Sequence, residues 1–487
     1  MNLTSITLLT NYFYNMISRL SSLQKIFCLL LLSLIIFSCG SEPKELTPLE
    51  KYVQTPTEDF SYEIKDSLSG DKWKAYHVKM YSGKWLNESQ VDQPLWWHWV
   101  DIIIPEDVDH ETAMLFVGGG TNKDEKFLLD STAVGFALKT NSVIANVSNV
   151  PFQPLNYLDV EQKEFYEDDL IAYGWDKFLK SGAEDSSLFW LARFPMTRAV
   201  VRAMDVIQEI NESEKSNINS FFVAGASKRG WTTWTTAAVD QRVVGISPIV
   251  IDMLNVVPNF DHHYQCYGEF SPAVQEYVNY KIIDWMDSQE YDKLIAQVEP
   301  YNFKEKFTMP KFIINAASDE FFVTDSWQFY WDDLPGEKHL RYVPNAGHSL
   351  EGTYQLENLA SFYYRFLNDL DQPNWTWEIN NDTIFVNVNP GQDYKIAKWE
   401  VNNPKERDFR IYKIGKSWQK TDIETNDKGL YAIPVKSNEG YTAALVEVVF
   451  DPNGDNPLIL STGTLVTPKE YPFEKYAPEK SLGTKKN

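Results

Sequence analysis

Cysteine is scarce in this chain of 487 residues: only Cys28, Cys39 and Cys266 occur. Three thiols so far apart cannot build a disulfide framework or a cysteine-rich zinc cluster. Cys266 reads most simply as a small buried apolar residue. Histidine is also rare, with seven copies. Only His262-His263, near Asp261 and Glu269, invites a metal reading. Two adjacent histidines rarely chelate one ion well and no third spaced ligand is evident, so neither a metal nor a cofactor is expected. Positive charge is in deficit too: 45 Lys and Arg face 68 Asp and Glu, a net charge of −23. Nucleic acid as a partner is thereby excluded, because neutralising phosphates needs a basic face. Electrostatic docking on anionic lipid is disfavoured for the same reason.

Long apolar runs are missing as well, with one exception. Arg19 and Lys25 precede Ile26-Phe27-Cys28-Leu29-Leu30-Leu31-Leu32-Ser33-Leu34-Ile35-Ile36-Phe37. This run is too short to span a bilayer comfortably and has the make-up of a signal-peptide core. It ends in Ile36-Phe37-Ser38-Cys39-Gly40-Ser41, with an apolar residue at −3 and a small one at −1. That is the pattern of a bacterial lipoprotein cleavage box, with Cys39 as the lipidated first residue. The alternative is a plain secretory signal cut nearby or an uncleaved anchor; a start at Met16 gives a leader of ordinary length. The expectation is an exported lipoprotein facing the periplasm or cell surface, touching membrane only through lipid on Cys39.

What the chain does have is enough apolar residue, 43% with 14% aromatic, for a packed globular protein. Its length suggests two domains plus tails. Residues 40–60 are polar and carry Pro43, Pro48 and Pro56, which reads as a tether. Residues 61–371 alternate short apolar strands (Ala113–Val117, Ser142–Val147, Ile218–Ala224, Val243–Ile251, Lys311–Ala316, His339–Val343) with helical stretches. This pattern predicts a mostly parallel sheet buried by helices on both faces. Helices are expected at Pro195–Ile210, Asp325–Leu334 and Glu357–Leu370. Between 253 and 309 an aromatic helical insertion interrupts the alternation, on the side where a lid would lie; ordinary packing decoration is the equal alternative. From 372 to 470 the chain turns to strands, Arg410–Ile414 among them, and reads as a small β-sandwich. Residues 471–487 read as a loose basic tail.

Nucleophilic acyl chemistry needs a hydroxyl, a base, an acid to orient the base, and donors for an oxyanion. Phe221-Phe222-Val223-Ala224-Gly225-Ala226-Ser227-Lys228-Arg229-Gly230 reads as strand, tight turn, helix, with Ser227 at the turn. Arg229 stands where the usual elbow has glycine, and the glycine falls one place later. Phe312–Asp319 is a strand ending in a carboxylate, and Val343-Pro344-Asn345-Ala346-Gly347-His348 repeats the device one unit on. The order Ser227, Asp319, His348 is that of an α/β-hydrolase fold, and each sits just past a strand's carboxyl end. Taken singly, Ser227 could serve as a helix N-cap, and Glu320 or Asp325 could replace Asp319 as orienting acid. The Lys228 backbone N–H and the Gly118-Gly119-Gly120-Thr121 loop are the candidate oxyanion donors. Lys228 and Arg229 are cations in a helix's first turn, where the dipole opposes them. Internal pairing with acids such as Asp252 or Glu320 would offset this; contact with an anionic substrate group or the oxyanion is the functional alternative.

Trp96-Trp97-His98-Trp99, Gly118–Gly120, Met196-Thr197-Arg198-Ala199-Val200-Val201-Arg202-Ala203-Met204-Asp205 and Gly225–Trp234 together resemble the PhoPQ-activated pathogenicity-related protein family. Asn345–Ser349 fits it too. The resemblance spans about residues 46–450 and implies an α/β-hydrolase domain, export and a carboxy-terminal β domain, without fixing a substrate. The elbow also resembles that of glucuronoyl and acetyl-xylan esterases, where a basic residue follows the serine. The expected activity is hydrolysis of a carboxylic ester or amide in a small molecule or peptide, through an acyl-enzyme. The rival reading is a non-catalytic secreted binding or signalling protein on the same scaffold. A narrower idea gives the β-sandwich a carbohydrate or partner surface through Trp375, Trp377 and Trp399.

Overall fold

The computed structural model describes residues 45–123 and 129–486. The leader read at 1–39, Cys39, and tether residues 40–44 lie outside the described residues. From Pro48 onward the chain forms one compact unit. Among the described residues no helix is long and apolar enough to cross a membrane.

The stretch read as a tether is packed from Pro48 on. Helix α1 (Pro48–Gln54) buries Leu49 and Val53, and Glu50 pairs with Lys306 at 2.6 Å. Two apolar residues four apart on a single helical face are enough to dock a short helix, whatever the polarity around them.

Strands β1 (Ser61–Gly70), β2 (Trp73–Lys84) and β3 (Leu95–Pro105) form an antiparallel meander at one sheet edge. Then follow β4 (Thr112–Val117), α2 (Ser131–Thr140), β5 (Ile144–Val147), α3 (Glu167–Lys180) and α4 (Arg193–Ser213). Next come β6 (Ser220–Ala226), α5 (Lys228–Val239), β7 (Val243–Ile249), α6 (Val256–Tyr267), α7 (Gln275–Asn279) and α8 (Gln289–Val298). The unit closes with β8 (Lys311–Ala316), β9 (Lys338–Val343) and α9 (Gln355–Leu367). The nine-stranded sheet has the order β1-β2-β3-β5-β4-β6-β7-β8-β9, parallel from β5 to β9.

Successive residues of a strand face opposite sides, so a buried parallel sheet feeds two cores. In β6, Phe221 and Val223 join the core that contains α4 and α5 residues such as Val200, Ile207 and Trp234. Phe222 and Ala224 join the opposite core, with Ala137 of α2 and Leu359, Phe362 and Tyr363 of α9. Helices thus cover both faces, which is why β6 is apolar at every interior position. The helix expected over Asp325–Leu334 shrinks to a 3₁₀ turn at Ser326–Phe329. Asp325 and Trp327 are held in place by long-range partners, Arg407 and the Thr464 carbonyl, rather than by a helical ladder.

The carboxy-terminal part contains β10 (Trp375–Asn380), β11 (Thr383–Val388), β12 (Tyr394–Asn403), α10 (Ile411–Ile414), β13 (Gln419–Ile423), β14 (Leu430–Pro434), β15 (Tyr441–Phe450), β16 (Leu458–Ser461) and β17 (Leu465–Thr467). They make a three-stranded sheet, β10-β11-β14, and a second sheet, β13-β12-β15-β16, with β17 on β15. Alternate residues Ile384, Val386 and Val388 of β11 share a core with Val446 and Val448 of β15, the sandwich pattern. Arg410–Ile414, expected as a strand, is the short helix α10. Arg410 is fully buried on Asp408 (Nε–Oδ1 2.9 Å), which turns the chain there, and Gly415 at φ 61° ends it. Two of the sandwich tryptophans are committed to packing: Trp377 stacks on Trp331 at 5.6 Å and Trp375 meets Phe450 at 6.0 Å.

The last residues are not loose. Tyr476 donates to Asp284 at 2.7 Å, Lys475 pairs with Asp261 at 2.7 Å, and Thr484 donates its N–H and hydroxyl to Glu290. Charge on the acidic insertion draws the basic tail onto it, a long-range pairing invisible to local composition.

Candidate active site

The site grows out of the turn after β6. Ser227 sits at φ 58°, ψ −127°, a backbone conformation that non-glycine residues rarely hold. Its N–H donates to the Ile249 carbonyl at 2.8 Å, and the Trp231 N–H reaches the Ser227 carbonyl at 3.0 Å. Small residues make the turn feasible. A Cβ on Gly225 would lie 2.7 Å from the Arg229 carbonyl, and one on Gly230 2.9 Å from the Gly225 carbonyl. Strand and helix are therefore in backbone contact at the elbow, and Gly230 does here what a glycine at position 229 does in the usual spacing. The Lys228 N–H falls in the first turn of α5, among the donors that a helix leaves without an internal acceptor.

Two units along the sheet, the Asp319 and His348 loops meet. His348 Nδ1 lies 3.0 and 2.9 Å from the two Asp319 oxygens, so its N–H donates to the carboxylate. Asp319 is buried and further fixed by the Phe321 N–H at 2.7 Å. Of the alternative acids, Glu320 instead accepts the His348 backbone N–H at 2.6 Å. Asp325 is occupied elsewhere, with Arg407 at 2.7 Å and His262 at 2.9 Å. His348 Nε2 is buried and has no hydrogen-bond partner, so Ser227 does not bond to it. Phe321 and Phe322 pack on the imidazole, with ring centroids at 4.1 and 5.9 Å, and both also line the pocket that holds Ser227.

Lys228 and Arg229 are internally paired, with partners other than those expected. Arg229 grips Glu167 through two nitrogens at 2.7 and 2.6 Å and donates to the Val150 carbonyl. Lys228 Nζ lies 2.7 Å from Glu167 and 2.9 Å from Asp168. These acids open α3, where the helix dipole also favours them. Burial works against ionised Glu167, but Arg229 and Lys228 outweigh it and hold the carboxyl at about 2. Asp252, one of the expected partners, is instead buried under the Tyr330 and Tyr342 hydroxyls. Burial pushes its carboxyl up to about 7.

Gly119 packs against the Arg229 guanidinium, and the Gly118 and Gly119 carbonyls accept from Val150 and Asn149. The Gly120 carbonyl accepts from Gln153 at 2.9 Å. Gly119 adjoins the elbow through Arg229; Gly119, Gly120 and Thr121 do not line the pocket around Ser227, whereas Lys228 lines it. His263 accepts from the Ser271 N–H at 2.9 Å, and burial brings it down to about 3. With His262 on Asp325 and Tyr471, the two histidines face different partners.

A brace behind the Asp319 and His348 loops has no signature in the sequence. Trp418 Nε1 donates to Ser318 Oγ at 2.9 Å, and its backbone exchanges bonds of 2.9 and 3.0 Å with the Asn345 side chain. The Ile411 N–H donates to the Ser318 carbonyl at 2.9 Å. Ser318 precedes Asp319, and Asn345, at φ 57°, stands three residues before His348.

The sheet order, the strained serine and the strand-end carboxylate and imidazole define an α/β-hydrolase fold. Residues 49–410 match the family described as PhoPQ-activated pathogenicity-related protein, and the chain belongs to it. It is 36% identical over 456 residues to autocrine proliferation repressor protein A of Dictyostelium discoideum, covering 88% of this chain and 90% of that one. Acetyl xylan esterase 1 from Thermoanaerobacterium sp. JW/SL YS485 superposes with a TM-score of 0.46 at 10% identity, over 67% of this chain and 95% of that one. A glucuronoyl esterase from Solibacter usitatus gives 0.38 at 11%, over 66% and 91%.

Proposed function

We propose that this chain is a serine hydrolase that cleaves a carboxylic ester, or an amide, through an acyl-enzyme. The observation that carries the reading is the Asp319–His348 pair, packed on the Phe321 and Phe322 rings that line the pocket of a serine held in a strained strand-to-helix turn. Ser227 Oγ attacks the acyl carbonyl while His348 Nε2 takes its proton, and Asp319 fixes the imidazole and balances its charge. The Lys228 N–H, at the start of the helix that follows Ser227, holds the oxyanion. The imidazolium protonates the leaving alcohol or amine. Water then repeats the sequence to free the acid and restore Ser227. The Ser227–His348 hydrogen bond is one that substrate binding has to make.

The chain works outside the cytoplasm on this reading, held by lipid on Cys39. Incorporation of labelled palmitate that Cys39→Ala abolishes is the expected result, and incorporation in both forms removes the anchor assignment.

The test of the chemistry is covalent labelling by a small ethyl fluorophosphonate, with mass spectrometry to locate the adduct. Wild type should label on Ser227, and Ser227→Ala and His348→Ala should not. Absence of label on wild type favours the second reading, a secreted signalling protein without catalysis. The relative named as an autocrine proliferation repressor is the observation that keeps that reading in view.

A further inference from the structure

Where the turn Ser326–Phe329 meets β10, β17 and the loop after β12, the surface folds into a cleft of about 230 Å³. None of its lining residues belongs to the pocket around Ser227. Two buried polar side chains line it with hydrogen-bonding capacity left over.

The first is Arg407. Its Nη2 holds Asp325 at 2.7 Å, and its Nη1 reaches Cys266 Sγ at 2.8 Å and Asp325 at 3.3 Å. Its Nε is buried and has no hydrogen-bond partner among the described residues. The second is Thr464, whose carbonyl accepts the Trp327 indole at 2.9 Å while its buried hydroxyl has no partner among those residues. Leaving a buried donor unpaired costs about 1–3 kcal/mol, and more for a charged one. Two such groups on one cleft are more than a packed seam tolerates without a partner from outside the chain.

The remaining chemistry narrows that partner. Asp325 is the one carboxylate lining the cleft, and its oxygens are taken by Arg407 and by His262 Nε2 at 2.9 Å. Lys469 lines it as well, exposed and without an ion pair among the described residues. The lining thus sets two cations against one carboxylate, in a chain whose net charge is −23. The side-chain capacity left over at Arg407, Thr464 and Lys469 is that of donors, which suits a ligand that accepts. Trp327, Ile379 and Leu465 add apolar surface, which a bare inorganic anion would leave unused.

We infer that this cleft is a binding site for a small organic carboxylate. The carboxylate accepts from Arg407 Nε and Thr464 Oγ1, Lys469 meets its charge, and its apolar body lies against Trp327 and Ile379. The site does not depend on the chemistry at Ser227.

Calorimetric titration of the full chain with butyrate, benzoate, benzamide and inorganic phosphate tests this. Butyrate or benzoate should bind saturably, and benzamide and phosphate should bind at least about tenfold more weakly. Thr464→Val keeps the side chain's shape, removes the donor and should weaken carboxylate binding by about tenfold. Lys469→Gln should weaken it by about threefold. Because Lys469 is exposed, its variant reads binding even if Thr464→Val does not fold. The inference is overturned if neither carboxylate binds, if benzamide or phosphate matches benzoate, or if no folded variant loses affinity.

Discussion

Replacing Glu167 with Gln removes the charge that Lys228 and Arg229 share. The Arg229 and Lys228 side chains are only 11% and 7% exposed, and in the variant Lys228 would keep Asp168 while Arg229 would lose its carboxylate partner. Removing one partner of a buried ion pair costs about 3–5 kcal/mol. The Glu167 side chain is 39% exposed, so solvent screens part of this, and Gln keeps an acceptor for Arg229. A loss of about 2 kcal/mol at pH 7 is therefore expected. The pH dependence follows from the carboxyl at about 2 in the folded chain, against about 4.3 when unfolded. A depressed folded value adds stability that is complete above the unfolded value and lost as pH falls through the folded one. The gap between wild type and Glu167→Gln should be full at pH 7, shrink below about 4.5 and close near 2. Urea unfolding followed by tryptophan fluorescence measures it. A gap under about 0.5 kcal/mol at pH 7, or one that widens on acidification, refutes the account of the basic pair.

Asp319→Asn should keep the fold, by circular dichroism, while lowering kcat for ester hydrolysis by about 10⁴-fold with little change in KM. Trp418→Phe keeps the backbone bonds to Asn345 and loses only the donor to Ser318. About 1 kcal/mol of stability should go, and kcat should fall severalfold at constant KM; an unchanged kcat would make the brace purely structural. Gly230→Ala places a Cβ 2.8 Å from Ile251 Cγ2 and 2.9 Å from the Gly225 carbonyl, and should cost about 1–3 kcal/mol by thermal unfolding.

The parallel sheet was legible because interior strands are apolar on both faces, as Phe221–Ala224 are. Ser227, Asp319 and His348 stood out because each follows such a strand, and strand ends on one sheet edge converge whatever the loops between them. The offset of the Lys228–Arg229 cations was also foreseeable, from the helix dipole that opposes them. Their partners were not. Glu167 and Asp168 pair across some sixty residues, and in sequence they are simply acids in a helix's first turn, where any helix favours them. The same blindness hid Trp418, whose indole looks like ordinary sandwich core, and turned Arg410–Ile414 into an expected strand. The 471–487 stretch read as free because its anchors, Asp284 and Glu290, belong to a distant insertion.

The brace also has a meaning in time. A chain is made from its amino end. Ser318 therefore exists 100 positions before the indole that will hold it, and Asn345 73 positions before Trp418. Ser227, Asp319 and His348 all emerge while the loops carrying two of them still lack support. On the hydrolase reading, the unfinished polypeptide is idle and becomes competent only when its last domain closes behind the site. Premature termination or clipping in the β-sandwich then yields a silent product rather than an unregulated hydrolase. Competence becomes a report that the whole chain has arrived.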